Sequence, residues 1–157
     1  MMSDFNEAFI RLMRHEGGYV NNFRDPGKET KFGISKRSYP DIDIPSLTMN
    51  QAGEIYKRDY WDMLHCDKIH PEVAFNLLDG AVNSGHVPAV RWLQQAVDAD
   101  NDGIMGPATI AACNAQHAST IVRKFNGYRL GYLCSLQTFD TFGKGWARRI
   151  ANNLVEG

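Results

Sequence analysis

Pro71-Glu72-Val73-Ala74-Phe75-Asn76-Leu77-Leu78-Asp79-Gly80-Ala81-Val82-Asn83-Ser84-Gly85 reads as one helix with both ends marked. Pro71 suits the first helical position, where its missing N–H breaks no hydrogen bond. Val73, Ala74, Leu77, Leu78 and Ala81 recur at helical spacing and define a buried side. Gly85 closes the helix, because glycine enters the left-handed backbone region without steric penalty.

The same period continues on both sides of this segment. Upstream, Thr48-Met49-Asn50-Gln51 has the form of a capping box and opens a helix through Ala52, Ile55, Tyr56 and Tyr60. Phe5, Phe9, Leu12 and Met13 form one face of an earlier helix, capped by Ser3 and expected to run to Gly17-Gly18. Downstream, one helix carries Val90, Leu93, Ala96 and Val97, and the stretch Asp98–Pro107 breaks it. Pro107 starts a short helix, a long one runs from about Ser119 to Leu136, and a last one holds Trp146, Ile150 and Leu154. Residues 19–47 lack the pattern and are rich in Gly, Pro, Asp and Asn. They predict an extended loop region or a small β-hairpin, with a strand pair near Phe32–Ser38; loops of this length in a compact domain usually carry function. The fold class is mainly α.

The 157 residues are 43% hydrophobic and 22% charged, the composition of a globular chain that folds without a disulfide or metal staple. A net charge of −1 removes the usual electrostatic basis for nucleic-acid binding, so no nucleic-acid partner is expected. No apolar run is long enough to span a bilayer. Met1-Met2-Ser3-Asp4 lacks the pattern of a secretory leader, so synthesis in the cytoplasm without a signal peptide is expected. Cys66, Cys113 and Cys134 fit no disulfide framework and read as buried thiols. His65-Cys66 with His70 lacks a fourth zinc ligand nearby. Asp98, Asp100, Asp102 and Gly103 imitate the start of a calcium loop, but Thr109 stands where a bidentate Glu is needed. Neither a metal nor a cofactor is expected.

The richest chemistry lies between His15 and Ser35. Glu16, expected in the last turn of the first helix, would feel the negative end of the helix dipole, which opposes ionisation. Partial burial would act in the same direction. A carboxyl kept protonated near neutral pH is what a general acid needs when an ether-like oxygen must leave. Asp25 follows on a loop, and Thr30 offers a hydroxyl to hold a water beside it. One protonated and one ionised carboxyl in a cleft make the minimal apparatus for glycoside hydrolysis. Equally, a Glu before Gly-Gly can be a surface residue at a helix end, and Asp-Pro-Gly is an ordinary turn sequence.

Glu16-Gly17-Gly18-Tyr19, Asp25-Pro26-Gly27, Thr30 and Gly33-Ile34-Ser35, with the later Asp79-Gly80-Ala81-Val82-Asn83-Ser84-Gly85, resemble the signature of the glycoside hydrolase 108 family. These are lysozyme-like muramidases of phages, prophages and bacteria. One departure is Lys28, where the family commonly has a second glycine. The resemblance implies a lysozyme-like helical fold and the catalytic set Glu16, Asp25 and Thr30. Glu16 would be the acid, and Asp25 with Thr30 would activate water. The implied reaction is hydrolysis of the β-1,4 bond from N-acetylmuramic acid to N-acetylglucosamine in bacterial peptidoglycan. A lytic transglycosylase and a non-catalytic wall-binding or regulatory protein are the alternatives.

Four residues are candidates for substrate binding: Tyr19, Asn83, Tyr60 and Trp61. An amide such as Asn83 both donates to and accepts from a sugar N-acetyl group, or else satisfies backbone at the helix end. Tyr19, Tyr60 and Trp61 have faces for stacking on sugars, although aromatics at helical spacing, as at Tyr60 and Trp61, are more often core. His15 and His86 read as structural or solvent-facing. Leu93-Gln94-Gln95-Ala96, Asp102–Thr109 and Phe142-Gly143-Lys144-Gly145-Trp146 with Arg149 resemble predicted peptidoglycan-binding regions. The expected organisation is therefore a catalytic domain over 1–86 and a wall-binding helical region over 87–157, packed on the first. The expected partner is peptidoglycan, reached by a monomer through a holin-type pore or an export machine.

Overall fold

Ser3 Oγ accepts a hydrogen bond from the Asn6 N–H (3.2 Å) and opens α1, Asp4–Met13, as its sequence position predicts. The structure, a computed structural model, describes residues 2–15 and 29–157 and the backbone of 20–21. The end of α1 differs from expectation. The Arg14 N–H donates to Arg11 O (3.2 Å) and the His15 N–H to Leu12 O (3.0 Å), bonds reaching back only three residues. That tightening closes the helix at Met13; Glu16, expected in its last turn, lies outside the described residues. Gly17-Gly18 lie outside the described residues.

Three short antiparallel strands follow: β1 Val20–Asn21, β2 Glu29–Lys31 and β3 Ile34–Ser35. Val20 faces Thr30 and Asn21 faces Glu29; Thr30 in turn faces Ser35. The expected hairpin exists, shifted toward the N-terminus. Phe32 and Gly33 have φ of 51° and 78° and form its two-residue turn. Positive φ at both central positions matches the right-handed twist of the flanking strands. Lys36–Ser38, expected to be strand, are turn residues.

The capping box is complete. The Gln51 N–H donates to Thr48 Oγ1 (3.1 Å) and the Thr48 N–H to Gln51 Oε1 (2.9 Å), opening α2, Met49–Tyr56. Beyond Tyr56 the chain widens into a π-helical turn, Lys57–Asp62, which carries Tyr60 and Trp61 off the α-helical period. α3 (Pro71–Ser84), α4 (His86–Val97), α5 (Pro107–Asn114), α6 (Ala118–Cys134) and α7 (Phe139–Glu156) complete the chain. Helices dominate, as the periodicity predicts. Among the described residues no helix is long and apolar enough to cross a membrane.

The chain divides into two units, Met1–Asp59 and Tyr60–Gly157. In the first, Phe9 stacks on Phe5 at a ring distance of 5.8 Å and meets Tyr56, tilted at 46°, at 6.0 Å. Tyr56 Oη donates to the Phe32 carbonyl (2.7 Å) and so fastens the hairpin turn to α2. Lys31 and Lys36 donate to the carbonyls of Pro45 (2.9 Å) and Ile42 (2.8 Å), tying down the loop that leads into α2.

In the second unit α3 is the central helix. Every residue from Val73 to Ala81 is buried, so it is covered all round rather than on one side. It packs against both α4 and α6, placing the division between units at Asp59/Tyr60, upstream of the functional boundary expected at 86/87. The rings of Trp92 (α4) and Phe125 (α6) meet edge to face at 5.9 Å over Gly80. Gly85, at φ 98°, ends α3 and donates its N–H to Ala81 O (2.7 Å).

Candidate functional site

β1 and β2 are joined by the 22–28 connection that carries Asp25, and the Asn21–Glu29 pairing anchors both of its ends. Thr30, half-buried at the middle of β2, lies one residue beyond that anchor. Glu16, Tyr19 and Asp25 lie outside the described residues. The structure therefore places Thr30 of the expected catalytic set, and places it on a paired strand rather than on a free loop.

The remaining candidates belong to the second unit, and they separate by burial. Trp61 is 3% exposed, so its faces are committed to the core, the reading that its spacing favoured. Tyr60 is half-buried and stacks on His86, with ring centroids 4.7 Å apart and planes at 18°. His86 is thus a ring partner at the first turn of α4.

Asn83 sits in the last turn of α3, and its side chain reaches a buried ionic cluster. Asp79, one turn earlier, is fully buried. Its Oδ2 accepts from Arg129 Nη1 (2.7 Å) and Asn153 Nδ2 (2.8 Å), and its Oδ1 accepts from Arg149 Nε (2.9 Å) and Nη2 (2.8 Å). Arg129 then extends Nη2 to Asn83 Oδ1 at 3.1 Å. One carboxylate therefore gathers α3, α6 and α7. Burial pushes the Asp79 carboxyl pKa up, but the charges of Arg129 and Arg149 and their hydrogen bonds outweigh it, holding the carboxyl below the usual range. Burial pulls the Arg129 guanidinium down against Asp79, which favours its charged form; an arginine remains protonated throughout.

The helix-end role considered for Asn83 is not what its oxygen does. The closing hydrogen bond of α3 comes from Gly85 to Ala81, while Asn83 Oδ1 is turned to Arg129. Sequence reading missed Arg129, Arg149 and Asn153 as partners of this motif. A signal existed: Arg129 stands four residues after Phe125 and four before Leu133, a charge on the apolar seam of α6.

The Asp98–Pro107 break is held by another buried side chain. Gln94 Nε2 donates to Asp102 Oδ1 (2.8 Å), Ile104 O (3.0 Å) and Thr109 Oγ1 (3.1 Å), and Gln94 Oε1 accepts from the Gly103 N–H (2.9 Å). Asp102 accepts from the Ile104 N–H (2.9 Å) and from Gln94, and these hydrogen bonds, the first above all, hold its carboxyl below the ordinary value. The segment is a turn locked onto α4.

Comparison with known proteins agrees with these motifs. The family model of glycosyl hydrolase 108 matches residues 9–85. A solved structure of Brucella abortus SagA shares 34% sequence identity, covers 97% of this chain and 92% of its own, and superposes with a TM-score of 0.87. The chain belongs to glycosyl hydrolase family 108. Among curated proteins none matches. As a family 108 member the protein is a glycoside hydrolase with a mainly helical, lysozyme-like fold. The family 108 match takes in Glu16, Asp25, Thr30 and Asn83, whereas Arg129, Arg149 and Asn153 lie beyond it.

Proposed function

We propose that this family 108 hydrolase is an N-acetylmuramidase, cleaving the β-1,4 bond from N-acetylmuramic acid to N-acetylglucosamine in bacterial peptidoglycan. The observation that carries the reading is the family match over 9–85, within which Glu16-Gly17-Gly18-Tyr19, Asp25-Pro26-Gly27 and Thr30 stand in order. Glu16 protonates the departing glycosidic oxygen. Asp25, together with Thr30 of β2, orients and deprotonates the attacking water, giving inversion if the two carboxyls stand about 6.5–9.5 Å apart. Residues 87–157 supply contact with the wall. The protein acts as a monomer after release through a holin-type pore or by an export machine.

Digestion of purified peptidoglycan by wild type and Glu16→Gln, with products resolved by mass spectrometry, tests the proposal. Hydrated products ending in reducing N-acetylmuramic acid are expected from wild type. The rate should fall by about 10²–10⁴-fold in Glu16→Gln, the usual contribution of a positioned general acid. Anhydro ends would make the enzyme a transglycosylase. No cleavage by wild type would leave wall binding as the function.

A further inference from the structure

Asn83 is a directed hydrogen-bond donor, and Arg129 directs it: we infer that the Asp79–Arg129 cluster fixes the Asn83 amide so that its N–H groups meet an acceptor oxygen of the glycan, the acetamido carbonyl of an N-acetylated sugar. This rests on the proposed peptidoglycan substrate. A guanidinium has donors and no acceptor. The Asn83 atom 3.1 Å from Arg129 Nη2 is therefore oxygen, and the oxygen/nitrogen ambiguity of an amide is removed by its partner's chemistry. With Oδ1 held inward, the two N–H groups of Nδ2 are turned away from the guanidinium, on a side chain that is only half-buried.

The hold is stiff. Arg129 is 0% exposed and braced by Asp79 at 2.7 Å, and Asp79 is itself braced by Arg149 and Asn153. Apolar residues of matching volume often stabilise a core as well as a buried ion pair does, so stability alone does not account for an arginine on the apolar seam of α6. Aiming a half-buried amide does. Among acceptors on the proposed substrate, a carbonyl oxygen suits an amide donor best, and both sugars of the repeat carry one on their N-acetyl groups.

Three measurements decide it. Asn83→Asp keeps an oxygen for Arg129, so the variant retains its fold and thermal midpoint, yet it presents an acceptor where the donor stood. On peptidoglycan, KM is expected to rise about tenfold or more while kcat changes little, since an acceptor then faces an acceptor. Arg129→Lys keeps charge against Asp79 but lacks the planar fork that reaches Asn83 as well. It should raise KM in the same way at temperatures where circular dichroism shows it folded, which a purely structural role would not do. Asn83→Asp with KM within twofold of wild type would overturn the inference. Independently, titrating ¹⁵N-labelled wild type with N-acetylglucosamine tetramer should shift the Asn83 side-chain NH₂ resonances, and unmoved resonances at saturation would also overturn it. Because this readout needs no cleavage, a wild type that cuts no peptidoglycan would sink the muramidase reading without deciding the fate of the donor.

Discussion

Gly80 shows what one residue does at the crossing of three helices. A Cβ there would lie 3.0 Å from Phe125 Cζ and 3.3 Å from Trp92 Cζ3, tighter than most packed contacts, so both rings would have to give by a few tenths of an ångström. Alanine would favour the helix by up to about 1 kcal/mol relative to glycine. Overpacking a closed core costs about 1–3 kcal/mol and outweighs that gain. Gly80→Ala is therefore expected to lower the unfolding free energy by a net of about 1 kcal/mol, seen as a lower urea midpoint; a raised midpoint would show that Phe125 and Trp92 yield instead. At the same scale, Asn83 was readable as a polar residue in a motif. Which end of its amide is held inward was not, because Arg129, the partner that takes its oxygen, lies on α6.

Elements obey local rules closely. The caps at Ser3 and Thr48, Pro71 at the start of α3 and Gly85 at its end are all where side-chain chemistry puts them. Thr48→Ala removes one arm of a reciprocal cap and should cost about 1 kcal/mol, seen as a lower thermal midpoint. An unchanged midpoint would mean that packing of Ala52 and Ile55 alone holds α2. Elements depart from local rules where backbone geometry shifts the register. α1 stops at Met13 through bonds reaching three residues back, and α2 widens into the π turn at Lys57. The hairpin was expected over Phe32–Ser38, yet Phe32 and Gly33 are its turn. A phenylalanine at positive φ is a costly choice that composition does not announce, and here Tyr56 holds its carbonyl.

Across the whole molecule, Asp79 couples acidity to stability. Its carboxyl is held below the unfolded value of about 3.9, so the unfolded chain binds its proton first as pH falls. The stability it contributes is complete above that value and is lost as pH falls through the lower folded value. Wild type is thus expected to lose urea stability steeply below about pH 4. Asp79→Asn, less stable at pH 7 by about 3–5 kcal/mol because Arg129 and Arg149 lose their counter-charge, should show a shallower loss over the same range. Parallel pH profiles for the two proteins would assign the acid sensitivity to other carboxylates.

The helical class, the caps and the family motif were readable from the residues without a structure, because each depends on neighbours within a turn or two. The proposed catalytic set of Glu16, Asp25 and Thr30 was nameable for the same reason, since one short stretch of chain holds all three. Tertiary structure alone decided that α3 is enclosed by α4 and α6, that Trp61 belongs to the core, and that Asp79, Arg129, Arg149 and Asn153 form one cluster. Asp79 and Asn153 are 74 positions apart. No local period links them; they meet because a buried carboxylate must find donors, and only the packing of α6 and α7 on α3 brings those donors within reach.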